Sequence, residues 1–243
     1  TCSVELPEGV DCPNSWTGLA AGQVDDEVTF LPDDDFVLEP LVITADRLNL
    51  YAEIAKGGGL TLMGVTDKKS NAVVTLFLDD VFPADQAALT LQKINGGGVW
   101  PTISKGNGCE AAVVVLDSKN VSFAPMGLYA DCQVGLHIDS SENVAVGGGL
   151  FIGHSATGIV VEDSDAVDLQ GIEVRGNAPG ESPTAVDAFA NGVFVGQGSA
   201  GVRIDTIGIT SHQTGVRIGK ATDVFVSGAI GLPPADVVGA GLE

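Results

Sequence analysis

The chain has 243 residues, with 32 Asp and Glu against 11 Lys and Arg, a formal charge of −21 at pH 7, 33 glycines and 44% hydrophobic residues. A chain this apolar is not a disordered acidic tail, which lacks the surface to pack a core, and so negative a charge without a Lys/Arg cluster excludes nucleic acid as a partner. A membrane span is excluded as well, because the longest unbroken aliphatic run is Ala111–Leu116, far short of about 20 residues.

Residues 1–27 read as an N-terminal cap or lead-in, in which Cys2 and Cys12 can close a small loop. No charged stretch followed by an apolar one opens the chain, so any secretory signal is expected outside this sequence. Strands are then expected at Val28–Leu31, Phe36–Ile43, Leu48–Ile54, Leu60–Met63, Val73–Leu78 and Ala88–Ile94. Asp33-Asp34-Asp35, Lys56-Gly57-Gly58-Gly59 and Asn95-Gly96-Gly97-Gly98 are the turn signals between them.

From residue 112 the chain repeats. Rows start at Ala112, Gly135, Gly158, Gly192 and Gly215, so successive starts differ by 23, 23, 34 and 23 residues. The long row is the common one plus 34−23 = 11 residues, an inserted loop within 177–191. Each row opens with alternating apolar positions: Val113/Val115, Leu136/Ile138, Ile159/Val161, Val193/Val195 and Val216/Ile218. Period-two alternation marks a strand with one buried side. A second short strand recurs at Val121-Phe123, Val144-Val146, Val167-Leu169, Val202-Ile204 and Val224-Val226. A third lies at Leu128–Ala130, Leu150–Ile152, Ile172–Val174 and Ile207–Ile209. Three short strands per turn of about 23 residues predict an all-β fold, a parallel β-helix or β-solenoid, running as one domain over 28–243.

The four cysteines give an independent check. Cys109 and Cys132 are 132−109 = 23 residues apart, one coil, and rungs about 4.8 Å apart suit a disulfide. With Cys2–Cys12 this makes two bridges and an oxidising, extracellular or cell-surface location, the alternative being four buried thiols. Asn120-Val121-Ser122 is the one N-glycosylation acceptor, relevant in a glycosylating host.

With GLHI followed by NVAV and GGGLFI, GIVV by AVDL and GIEV, and GVRI by DVFV, the sequence resembles the right-handed parallel β-helix, or pectin-lyase-like, superfamily. That resemblance implies a right-handed coil and admits pectate lyases, polygalacturonases, epimerases, phage tailspikes and adhesins. Gly153-His154 and Arg217-Ile218-Gly219-Lys220 approach polygalacturonase motifs, but the paired carboxylate motifs of glycoside hydrolysis are missing.

Three groups of residues could carry chemistry. Asp168, Glu173 and Asp187 are the carboxylates to test first for catalysis. No cofactor is expected apart from Ca²⁺, for which Glu162, Asp163, Asp165 and Asp168 are the candidate oxygen ligands, against their being solvated turn positions. Tyr129, Phe151, Phe194 and Trp100 are the candidate binding aromatics, and Tyr129 and Phe151, 22 residues apart, would stack on adjacent rungs. Val114, His137, Val160, Phe194 and Arg217 point outward from the first strand, and Val114, Val160 and Phe194 are an apolar choice that marks a contact surface. His137 and His154 lack a paired nucleophile and read as structural.

The functional expectation is therefore a structural, adhesive or assembly role, as filament or coat, with self-association or further modules of a longer chain as partners. The alternatives are a polysaccharide lyase or glycoside hydrolase and a non-catalytic glycan-binding module.

Overall fold

A computed structural model describes residues 27–30, 41–44, 47–78, 82–83, 85–107, 109–124, 127–154, 157–176, 191–205, 207–210 and 214–228. The proposed Cys2–Cys12 loop, Trp16, the Asp33–Asp35 turn, Asp187, nearly all of the 177–191 insertion and the segment after Ser227-Gly228 lie outside the described residues.

Every described strand pairs in parallel, in two sheets, and no helix occurs among the described residues. One sheet has eight strands, in spatial and chain order Leu41–Thr44, Leu60–Met63, Ala87–Gln92, Ala111–Leu116, Val134–Asp139, Thr157–Glu162, Asn191–Val195 and Thr214–Ile218. The other has eleven, and its path runs from Glu27–Phe30 through Asn49–Ile54, Asn71–Phe77, Gly98–Asn107, Ala145–His154 and Asp168–Gly176 to Phe225–Ser227. Along the chain each strand of the eight-stranded sheet is followed by one or two of the eleven-stranded sheet, so the chain coils and each coil stacks on the last: a β-solenoid.

Register confirms the coil length. Val113 pairs with Leu136 and Leu136 with Ile159, steps of 23 residues, and Ile159 pairs with Val193 across the longer row. The alternating positions face inward as predicted: Val113, Val115, Leu136, Ile138, Ile159, Val161, Val193, Val195 and Val216 have no exposed surface. The second-strand pairs Val121/Phe123, Val144/Val146, Val167/Leu169 and Val202/Ile204 close the other wall of the same core, each residue 1% exposed or less. Cys109 and Cys132 are disulfide-bonded one coil apart, Cα to Cα 4.3 Å, and both are buried.

The second and third strands of a coil share one sheet. They run together as Gly98–Asn107, Ala145–His154 and Asp168–Gly176, and stay separate as Ser122–Phe123 with Gly127–Asp131 and as Arg203–Asp205 with Gly208–Thr210. In two of the long strands the bend falls on a glycine with positive φ, Gly148 (52°) and Gly171 (63°), a conformation that costs glycine nothing.

The corner between the two sheets is the most regular part of the coil. Asp117-Ser118-Lys119-Asn120-Val121, Ser140-Ser141-Glu142-Asn143-Val144, Asp163-Ser164-Asp165-Ala166-Val167 and Gly198-Ser199-Ala200-Gly201-Val202 occupy equivalent places. The first and fourth residues are left-handed: Asp117, Ser140 and Asp163 have φ of 50°, 49° and 45°, and Asn120, Asn143 and Ala166 of 54°, 55° and 54°. The serine between them is buried and forms a ladder. Its hydroxyl accepts the N–H of the preceding rung's serine, Ser118 to Ser141 and Ser141 to Ser164 at 3.1 Å. It also donates to a carbonyl two residues back, Leu116 and Asp139 at 2.8 Å. Outside it runs an amide ladder, Asn143 Nδ2 to Asn120 Oδ1 at 2.7 Å and Asn120 Nδ2 to Asn95 Oδ1 at 2.9 Å. Buried backbone that turns a corner thus keeps its polar groups satisfied. The side chain of the expected glycosylation acceptor, Asn120, is exposed but engaged on both sides by this ladder.

Candidate functional site

Both sheets present an outward face, and register orders its residues. On the eight-stranded sheet Thr61, Thr90, Val114, His137, Val160, Phe194 and Arg217 form one column. The expected apolar run is there, and Val160, although outward by alternation, is only 9% exposed. The Arg217 guanidinium lies 5.9 Å from the centre of the Phe194 ring. Glycine makes room for that ring: a Cβ on Gly196 would stand 3.1 Å from the ring and 2.8 Å from Glu162 Cγ. His137 Nε2 approaches Glu162 Oε2 to 3.3 Å, an ion-pair distance without hydrogen-bond geometry.

The outer face of the eleven-stranded sheet carries a band of small residues. Asn71, Gly98, Ser122, Ala145, Asp168, Arg203 and Phe225 follow one another in register. Beside them runs a second column containing Tyr51, Val73, Trp100, Gly147, Gln170 and Asp205. The Trp100 indole lies over Gly98, where any Cβ would collide with it. Beyond it the floor is small, Ser122, Ala145 and Gly147, and space is open where side chains at Gly147 and Gly148 would stand. Further along, the face is polar: Asp168, Gln170 and the Arg203–Asp205 ion pair at 2.9 Å. Asp168 Oδ1 is shielded from solvent and accepts no hydrogen bond. One sheet face thus carries an indole that can stack an apolar face and, further along, carboxylate and amide groups that can accept hydroxyl hydrogen bonds.

The structure separates several residues that the sequence places together. Glu162 ends a strand of the eight-stranded sheet, Asp163 and Asp165 stand at the corner, and Asp168 begins a strand of the other sheet. Among the described residues no three Asp, Glu, His or Cys side chains gather as a metal site, because the chain turns from one sheet to the other within those seven residues. Glu173 pairs in register with Leu150 and Gly208, further along the strand from Asp168. The expected stacking of Tyr129 on Phe151 is corrected by the register: Phe151 pairs with Leu128 and Val174, and Tyr129 pairs with Ser104. Their spacing of 22 residues is one short of a coil, so the two residues fall in different register columns.

Tyr51 and Phe77 were missed because the early coils do not repeat at a constant length: Asn49 to Asn71 is 22 residues and Asn71 to Gly98 is 27. Arg203 and Asp205 stand outward beside the strand read at Val202-Ile204 and were missed because their neighbours come from other coils. The corner pentads DSKNV, SSENV, DSDAV and GSAGV were the readable signal for the ladders. At this corner Lys119 and Glu142 pair at 2.7 Å on adjacent rungs, and the hydrogen bond first, the carboxylate charge second, hold the Lys119 ammonium above its usual pKa. Compared with known protein families, with curated proteins and with solved structures, the chain finds no match in any of the three.

Proposed function

We propose that the chain is an extracellular or surface-exposed β-solenoid with a structural, adhesive or assembly role. The observation that carries this reading is the apolar surface turned outward: Val42, Tyr51, Phe77 and Phe225 are 46%, 40%, 40% and 59% exposed. Val42 lies on the eight-stranded sheet and the other three on the eleven-stranded one, so both faces offer apolar contacts, and a solenoid whose corners are locked by side-chain ladders is a rigid support for them. The disulfide between adjacent coils supports the extracellular location. The right-handed, pectin-lyase-like assignment belongs to the same proposal and rests on the row pattern. Native mass spectrometry and sedimentation over a range of concentrations test it: concentration-dependent species larger than the monomer are expected. A chain that stays monomeric throughout argues against assembly.

Trp100 beside the open, small-residue band favours a second reading, a glycan-binding module. Trp100→Ala is then expected to weaken retention by a soluble polysaccharide about tenfold in affinity electrophoresis, the loss of one stacking platform. Gly147→Leu, which fills the open floor, is expected to do the same. Retention unaffected by both substitutions sinks this reading.

A further inference from the structure

The corner bearing the two ladders carries an ordered sequence of charge. Along it the longer corner 64–70 stacks on 93–96, followed by 117–120, 140–143 and 163–166, the last four linked by the bridges Asn95–Lys119, Lys119–Glu142 and Glu142–Asp165. The first is placed by Lys68, whose side chain and backbone crowd Gly96. Asp67, Lys68 and Lys69 sum to +1, Lys93 gives +1, Asp117 and Lys119 cancel, Glu142 gives −1, and Asp163 with Asp165 gives −2. In a protein of net charge −21, this five-corner stretch therefore has a cationic side and an anionic side, and beyond Asp165 the edge continues through the uncharged Gly198–Gly201 corner to Thr222. All these charged side chains are exposed except the partly exposed Asp67, which pairs with Arg47 at 3.6 Å. Among the described residues Lys68, Lys69, Lys93, Asp163 and Asp165 make no ion pair within 4.0 Å.

We infer that this edge is a self-complementary interface for a second copy of the chain, packed side by side and antiparallel. The inference deepens the assembly reading and rests on it. A two-fold axis through the 117–120 corner sets Asp117 against Lys119 of the second copy, Lys93 against its Glu142, and Lys68 and Lys69 against its Asp163 and Asp165. Because the axis repeats each contact, a single isologous patch satisfies both chains. A parallel arrangement puts like charges together and is selected against. The span from the 67–70 corner to the 163–166 corner is four rungs, about 19 Å at the usual strand spacing. At physiological salt the Debye length is about 8 Å, so the repulsion between two acidic bodies is largely screened while facing pairs at contact distance are not. The ladders hold the edge rigid before contact, which limits the entropy lost on association.

The experiment is a charge swap read by sedimentation equilibrium. One variant is Lys68→Glu with Lys69→Glu; the other is Asp163→Lys with Asp165→Lys. The corner tolerates the second: Lys93 holds a left-handed φ of 54° like that of Asp163, and Lys119 occupies the place equivalent to Asp165. Each variant alone is expected to self-associate at least about tenfold more weakly than the wild type. An equimolar mixture is expected to recover an affinity within about threefold of it, because a mixed pair is complementary at both ends. Circular dichroism and thermal melting verify that both variants fold. If the wild type assembles and either variant assembles equally well, or the mixture does not recover, the interface is wrong and the assembly reading stands. If the wild type is monomeric at every concentration, both fall.

Discussion

Truncating Leu136 to alanine is expected to cost about 2–5 kcal/mol, the range for removing a fully buried leucine from a core that cannot collapse around the gap. Leu136 has no exposed surface and sits in register between Val113 and Ile159, so its side chain fills space against the coil on either side. Both neighbours are held by parallel ladders, and neither backbone can move in without breaking its own pairing. Equilibrium denaturation in urea measures the effect as a lower midpoint at unchanged slope. Val226, only partly buried and packed at the margin of the core, is the control, and Val226→Ala is expected to cost much less. A loss below about 1 kcal/mol at Leu136 contradicts a core packed to native density.

Opening the Cys109–Cys132 bridge is expected to destabilise the fold by about 3 kcal/mol, the chain-entropy estimate for a loop of this length. The two cysteines are 23 residues apart, so the bond closes one complete coil and joins it to the next. In the unfolded chain that cross-link removes conformations, while in the folded chain it spans a distance that the stacking already sets. Both cysteines are buried, at 1% and 0% exposure, so reductant is expected to act only through opening of the coil. Comparing unfolding midpoints with and without dithiothreitol tests this. The wild-type midpoint falls on reduction, and that of the Cys109→Ala/Cys132→Ala double variant does not move. A wild-type midpoint indifferent to reductant rules the bridge out.

Much of the fold was legible because a solenoid writes its geometry into the chain as a period. Val113, Leu136, Ile159, Val193 and Val216 recur as they do because each must fill the same place in a stacked coil. Cys109 and Cys132 obey the same interval. The outward aromatics resisted reading for the opposite reason. Register tolerates no approximation in a strand, and the 22 residues from Tyr129 to Phe151 put those residues in different columns. Nor does acidity along the chain imply a site: Glu162, Asp163, Asp165 and Asp168 are close in sequence, and a corner distributes them between two sheets.

By itself, then, the sequence determined a coiled, parallel, all-β chain, the length of its later coils, one disulfide and the inward residues of each strand. These follow from local alternation and a repeat, which a linear chain displays directly. The tertiary structure decided which residues from different coils become neighbours: Ala145 beside Asp168, Phe194 beneath Arg217, Lys93 and Asp163 on one edge. Such neighbours depend on the summed lengths of the intervening coils and on where each chain segment turns its corner. A single residue gained or lost in a turn moves them apart, and only the stacked coils reveal the sum.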